Sequence, residues 1–151
     1  MCYQNSGISA KNLLLGVQIE EPEFFIPWSI KENDFLKAFQ TNEVRKVVEG
    51  CYFVKDVTFL SENCNMGVEF RQNLYRIAFS RDTYSGQGDY GISFANFQTA
   101  LENTFGKPTK RSKTKMSFDD CEWIICNRIM IKHCIINRFG YEEHLYIECL
   151  P

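Results

Sequence analysis

The chain has little of what most chemistry needs. Among its 151 residues there are only two histidines, His133 and His144, and no His-x-His, HExxH or paired CxxC spacing. Metal centres want three or four convergent ligands, so neither a metal nor any other cofactor is expected. Long hydrophobic runs are missing too. Ile129-Met130-Ile131 is cut by Lys132, far short of the ~20 apolar residues of a membrane helix. The first cation is Lys11 and Leu13-Leu14-Leu15 is too short for the core of a secretory signal, so no leader is expected. Charge of one sign is scarce: 17 Lys+Arg against 19 Asp+Glu leave a net charge of −2, which argues against a general polyanion binder. Seven cysteines, at 2, 51, 64, 121, 126, 134 and 149, form an odd set. Secreted disulfide frameworks are normally even, so a reducing cytoplasm is the expected home.

What is present is a core. Apolar residues make up 44% and aromatics 15%, with four prolines and nine glycines, enough to exclude disorder and collagen-like repeats. The length suits one domain, residues 1–151.

Apolar alternation at Leu13, Leu15, Val17 and Ile19 predicts a strand across 8–19. Ser29-Ile30-Lys31-Glu32 reads as a capping box opening a helix over 30–40 that buries Phe35, Leu36 and Phe39. Strands are expected at 50–60, 66–70 and 74–79, with a turn at Arg71-Gln72-Asn73. A second helix, capped by Ser93 with an Ile92–Phe97 staple, carries Phe94, Phe97, Leu101 and Phe105 along one face and stops at Gly106-Lys107-Pro108. Strands at 118–126, 129–137 and 143–150 follow, with turns at Asn127-Arg128 and Gly140-Tyr141. The order is α-βββ twice, with approximate halves 28–80 and 92–150. This predicts an α+β fold: an antiparallel sheet of six to seven strands, two helices on one face, and the other face left for gripping a macromolecule.

The remaining constellations are thin. His133 adjoins Cys134, but neighbours on a strand point to opposite faces, so ordinary packing is expected for both histidines. The acid pairs Glu20-Glu21, Asp119-Asp120 and Glu142-Glu143 flank strands or turns, where solvated carboxylates are normal. The loop 81–91 contains Gly-x-Gly but neither phosphate-loop pattern. Its Tyr84, Asp89 and Tyr90 have instead the chemistry of adaptable protein-binding loops. Lys107–Lys115 packs five cations into nine residues with no interleaved aromatic, which suits a solvated loop or a phosphate-contacting one. Net charge runs −2 over 1–60, +3 over 61–115 and −3 over 116–151. Asp119, Asp120 and Glu122 are therefore expected in an acidic end that steers a basic partner.

Phe105-Gly106-Lys107-Pro108, Glu122-Trp123 and 137–147 (NRFGYEEHLYI) together resemble the C-terminal half of small bacterial immunity-type proteins. The tandem helix-then-meander order is similar to β-lactamase-inhibitor-protein-like domains, whose concave sheet grips a partner protein. Such domains are often secreted and disulfide-linked, and the scattered cysteines here favour a cytoplasmic immunity protein. The expected function is a non-enzymatic inhibitor of a basic, nuclease-type toxin. The resemblance carries over no site residue by residue; loop chemistry and the acidic end make Tyr84, Asp89, Tyr90, Asp119, Asp120 and Glu122 the expected contacts. The alternative expectation is a nucleic-acid module using 107–115. The third is an enzyme using His133 or His144.

Overall fold

A computed structural model describes residues 10–81, 90–115, 118–137 and 141–151. The chain opens with a short helix α1 (Ala10–Leu13) and a hairpin of β1 (Gly16–Ile19) and β2 (Phe24–Pro27). There follow α2 (Glu32–Ala38), β3 (Val44–Val48), β4 (Cys51–Phe59), β5 (Glu62–Phe70) and β6 (Leu74–Ser80). The second half is α3 (Tyr90–Phe105), β7 (Lys110–Ser112), β8 (Asp120–Ile125), β9 (Ile129–Asn137) and β10 (Tyr141–Cys149). Apart from the hairpin, the strands make one eight-stranded antiparallel sheet, ordered β3-β4-β5-β6-β10-β9-β8-β7. The α+β class is as expected, but the unit is α-ββββ twice rather than α-βββ. The two meanders join where β6 pairs with β10.

The extra strands are the ones whose sequences hide them. β3 and β7 are the sheet edges, and all of β7 and most of β3 are exposed. A strand with no buried face shows no alternation. Arg45, Lys46, Lys110 and Arg111 on these edges discourage pairing with another chain. The strand expected at 8–19 is partly helical instead. Buried Leu13 ends α1 and its carbonyl accepts from Trp28 Nε1 at 2.9 Å. Gly16 then passes against β2 so closely that a Cβ there would lie 2.2 Å from the Ile26 carbonyl oxygen.

Neither expected N-cap forms. α2 begins two residues later than the capping box requires, with Lys31 as its N-cap and no side-chain cap. The Glu32 carboxylate is taken by Tyr52 Oη at 2.9 Å. Ser93 lies inside α3, which already runs from Tyr90. The C-terminal end is as expected: Gly106 has φ +81° and its N–H donates to Glu102 O at 2.9 Å, a left-handed stop that glycine takes without steric cost. Leu60-Ser61, both left-handed, make the two-residue turn of the β4–β5 hairpin, and left-handed Cys126-Asn127 open the three-residue turn 126–128 between β8 and β9.

One face of the sheet is the core. Val54, Phe59, Met66, Val68, Ile77, Phe79, Leu145, Ile147, Ile131 and Trp123 are buried beneath Phe35 and Phe39 of α2, Phe97 and Leu101 of α3, and Val17, Ile19 and Ile26 of the hairpin. Each such side chain contributes about 1.5–3 kcal/mol when fully buried. Phe59 and Phe79 stack at 4.1 Å between ring centroids.

Candidate functional site

Because strand side chains alternate, the residues between those core positions form the second face, and no described helix packs on it. Register places Arg45, Phe53, Gly67, Ala78, Tyr146, Lys132, Glu122 and Lys110 in one row across all eight strands. Gly67 and Ala78 are the small residues at its centre. They floor a trough of about 210 Å³ lined also by Val47, Cys51, Phe53, Glu69, Arg76 and Tyr146. A second hollow, of about 350 Å³, lies on the β9 side of Tyr146 and Arg76, against Met130, Lys132, Cys134, Ile136 and Glu148.

Arg76 separates the two hollows. Its Nε and Nη2 both donate to Glu148 Oε1, at 2.6 and 2.5 Å, and Nη1 lies 3.6 Å from Glu69. Burial works against its charge, but the hydrogen bond and charge of Glu148 more than offset that and raise its pKa. The guanidinium also lies 5.5 Å from the centroid of Tyr146 and 5.4 Å from that of Tyr75. Along β10, Tyr146 Oη is 2.7 Å from His144 Nδ1, and His144 Nε2 is 3.1 Å from Glu142. The rings of His144 and Tyr146 stack at 5.4 Å.

The expected contacts are placed as follows. Asp120 and Glu122 lie on this second face, since Cys121 and Trp123 between them are buried. Glu122 stands between Lys110 and Lys132 in register, so cations flank it on both neighbouring strands. Asp119 lies just before β8, 3.7 Å from Arg111. Tyr84 and Asp89 lie outside the described residues, and Tyr90 begins α3. Three residues of the basic run, Lys110–Ser112, form the edge strand β7, where Arg111 pairs with Glu102 at 2.9 Å.

The covered face holds a second polar group that sequence patterning treated as ordinary packing. His133 is fully buried, stacked on Phe94 at 3.9 Å, with Nδ1 2.8 Å from Gln98 Oε1 and Nε2 2.7 Å from Glu143 Oε1. Both ring nitrogens are therefore engaged by oxygen partners inside the core. Gln98 Nε2 continues the chain to Cys121 Sγ at 3.4 Å. Nearby, burial pushes the Cys64 thiol up to about 12 although Arg81 pulls the other way. The only advance signal for this cluster was a Glu at 143 and a His at 133 on the inward alternation of two adjacent strands.

Among the described residues no group of His, Cys, Asp and Glu is arranged to hold a metal ion, and no helix is long and apolar enough to cross a membrane. The chain has no significant match among protein-family models, curated proteins or solved structures.

Proposed function

We propose that this chain is a non-enzymatic protein-binding inhibitor, a cytoplasmic immunity-type protein that neutralises a bacterial nuclease-type toxin by covering its active site. The observation that carries the reading is the one-sided sheet. The described helices and the hairpin serve one face, and eight strands present the other as a continuous row with an apolar centre and a charged periphery. That is the anatomy of a protein interface: a desolvated middle with aromatic anchors, rimmed by polar groups. The tandem helix-then-meander order supports the likeness to β-lactamase-inhibitor-protein-like domains, which use such a sheet face.

The anchors on this reading are Phe53 and Tyr146, on either side of the Gly67–Ala78 floor, together with Tyr84 and Tyr90. Asp120 and Glu122 contribute to the steering rim. Replacing Asp119, Asp120 and Glu122 with Lys should slow association with a basic partner and reduce its salt sensitivity; unchanged kinetics would remove the electrostatic part of the proposal. The alternative, a nucleic-acid module, draws on the exposed Lys110 and Arg111 of β7. It calls for binding that falls steeply with salt and disappears when the lysines of 107–115 become Ala.

A further inference from the structure

Besides offering Tyr146 as an anchor, β10 aims an imidazole at its phenol. Glu142, His144 and Tyr146 alternate along a single strand and so share a face. Their side chains run carboxylate, imidazole, hydroxyl, with contacts of 3.1 and 2.7 Å. In the neutral ring, Nε2–H donates to Glu142, which leaves Nδ1 to accept from Tyr146 Oη–H. That is the arrangement of a nucleophile, its base and the group orienting the base. His144 and Glu142 side chains are 20% and 34% exposed, and Tyr146 lines the 350 Å³ hollow beside them.

We propose that Tyr146 is an acyl-accepting site, its hydroxyl activated by His144 toward the carbonyl carbon of a small neutral ester. The hollow sets the substrate class. Its size is that of a small-molecule site, and Met130 and Ile136 offer an apolar wall for a short acyl chain. Lys132, the cross-strand partner of Tyr146, also lines the hollow and brings a positive charge to it. Arg76 is engaged by Glu148 and Glu69, and Glu142 adds a further negative charge, so the surroundings do not favour a phosphate. In the reaction Oη attacks the carbonyl carbon and its proton passes to Nδ1. The bond to the ester's leaving oxygen then breaks, and the imidazolium returns the proton to that oxygen. The products are O-acyl tyrosine and an alcohol or phenol. Cys134 in the same hollow is a poor competitor, because burial raises its pKa and keeps it a thiol.

The test uses the whole chain and 4-nitrophenyl butyrate, and needs no partner. Its failure therefore leaves the binding proposal standing, and loss of partner binding leaves this one standing. Nitrophenolate release should approach one equivalent per chain, with the butyryl group on the peptide containing Tyr146. Tyr146→Phe should abolish that adduct. His144→Phe keeps a flat ring for the stack but no base, and should slow the adduct at least about tenfold; a His144→Ala chain should regain rate with added imidazole. Glu142 acts through His144, so Glu142→Leu should change the histidine side-chain 15N spectrum from the Nε2–H form to a tautomer mixture. Thermal melts of each variant report folding separately. Acylation confined to lysines or cysteines, or an equal Tyr146 rate in folded His144→Phe, would overturn the proposal.

Discussion

Replacing Glu143 with Leu removes one member of a buried pair and leaves the other in place. The side chains of His133 and Glu143 are 0% and 2% exposed, so water cannot take over the lost contact. Leucine is close enough in volume that little cavity should form. The loss is then dominated by the stranded His133 Nε2. Breaking such a buried pair costs about 3–5 kcal/mol, a large share of the about 5–15 kcal/mol that holds a domain together. With a urea m-value of about 2 kcal/mol/M the unfolding midpoint should fall by about 2 M. The informative comparison is the double variant His133→Phe/Glu143→Leu. It removes both polar groups and supplies a ring for Phe94 to stack on, so it should recover most of the loss, as exchanging a whole buried pair for apolar residues is often neutral. Fluorescence-monitored unfolding of the four proteins gives the coupling directly. A single-variant loss below about 1 kcal/mol, or a double variant no better than Glu143→Leu, would refute the claim that the two residues act as one desolvated unit.

Other outcomes follow from particular contacts. Gly16→Ala should cost more than Gly106→Ala by differential scanning calorimetry: a Cβ at 16 meets backbone at 2.2 Å, whereas at 106 it meets nothing within 4 Å and only the left-handed φ is strained, a cost of about 1 kcal/mol. Under native conditions a thiol-alkylating reagent should modify the exposed Cys126 before the buried Cys64, Cys121 and Cys134; early labelling of Cys64 by peptide mass would contradict its burial. Cys64 also favours folding while it stays protonated. Its native value is raised from 9.0 to about 12, so that contribution is complete below pH 9 and is lost as pH rises from there toward 12. Cys64→Ala should flatten the alkaline limb of stability against pH, and an unchanged limb would contradict the shift.

The parts of this fold that the sequence announced are those with strong periodicity or punctuation. Phe94, Phe97 and Leu101 recur at helical spacing, and Gly106-Lys107-Pro108 ends the run. The long inner strands alternate because one side of each is core. β3 and β7 escaped because edge strands bury neither face, so charge and valine follow no pattern there. The caps failed for a tertiary reason at Glu32, which a tyrosine twenty residues away claims. The acidic end looked uniform along the chain, but sheet register set Glu122 between two lysines, and no local window reveals a neighbour on another strand. The same holds for the Glu142–His144–Tyr146 line. Its members were visible as alternate residues on one strand, but Lys132 and Arg76 come to it from β9 and β6.

Whether the second face of the sheet is the docking surface can be decided with one substitution. Ala78→Arg fills the trough floor from the side away from the core, and should leave the melting behaviour of the domain intact. Affinity capture from a lysate of the source cells, after nuclease treatment, should recover one stoichiometric protein with the unmodified chain and none with Ala78→Arg. Equal capture by both would place the interface elsewhere. Capture of nucleic acid by the unmodified chain, lost on nuclease treatment, would contradict the protein-binding proposal and move the function to the basic edge at β7.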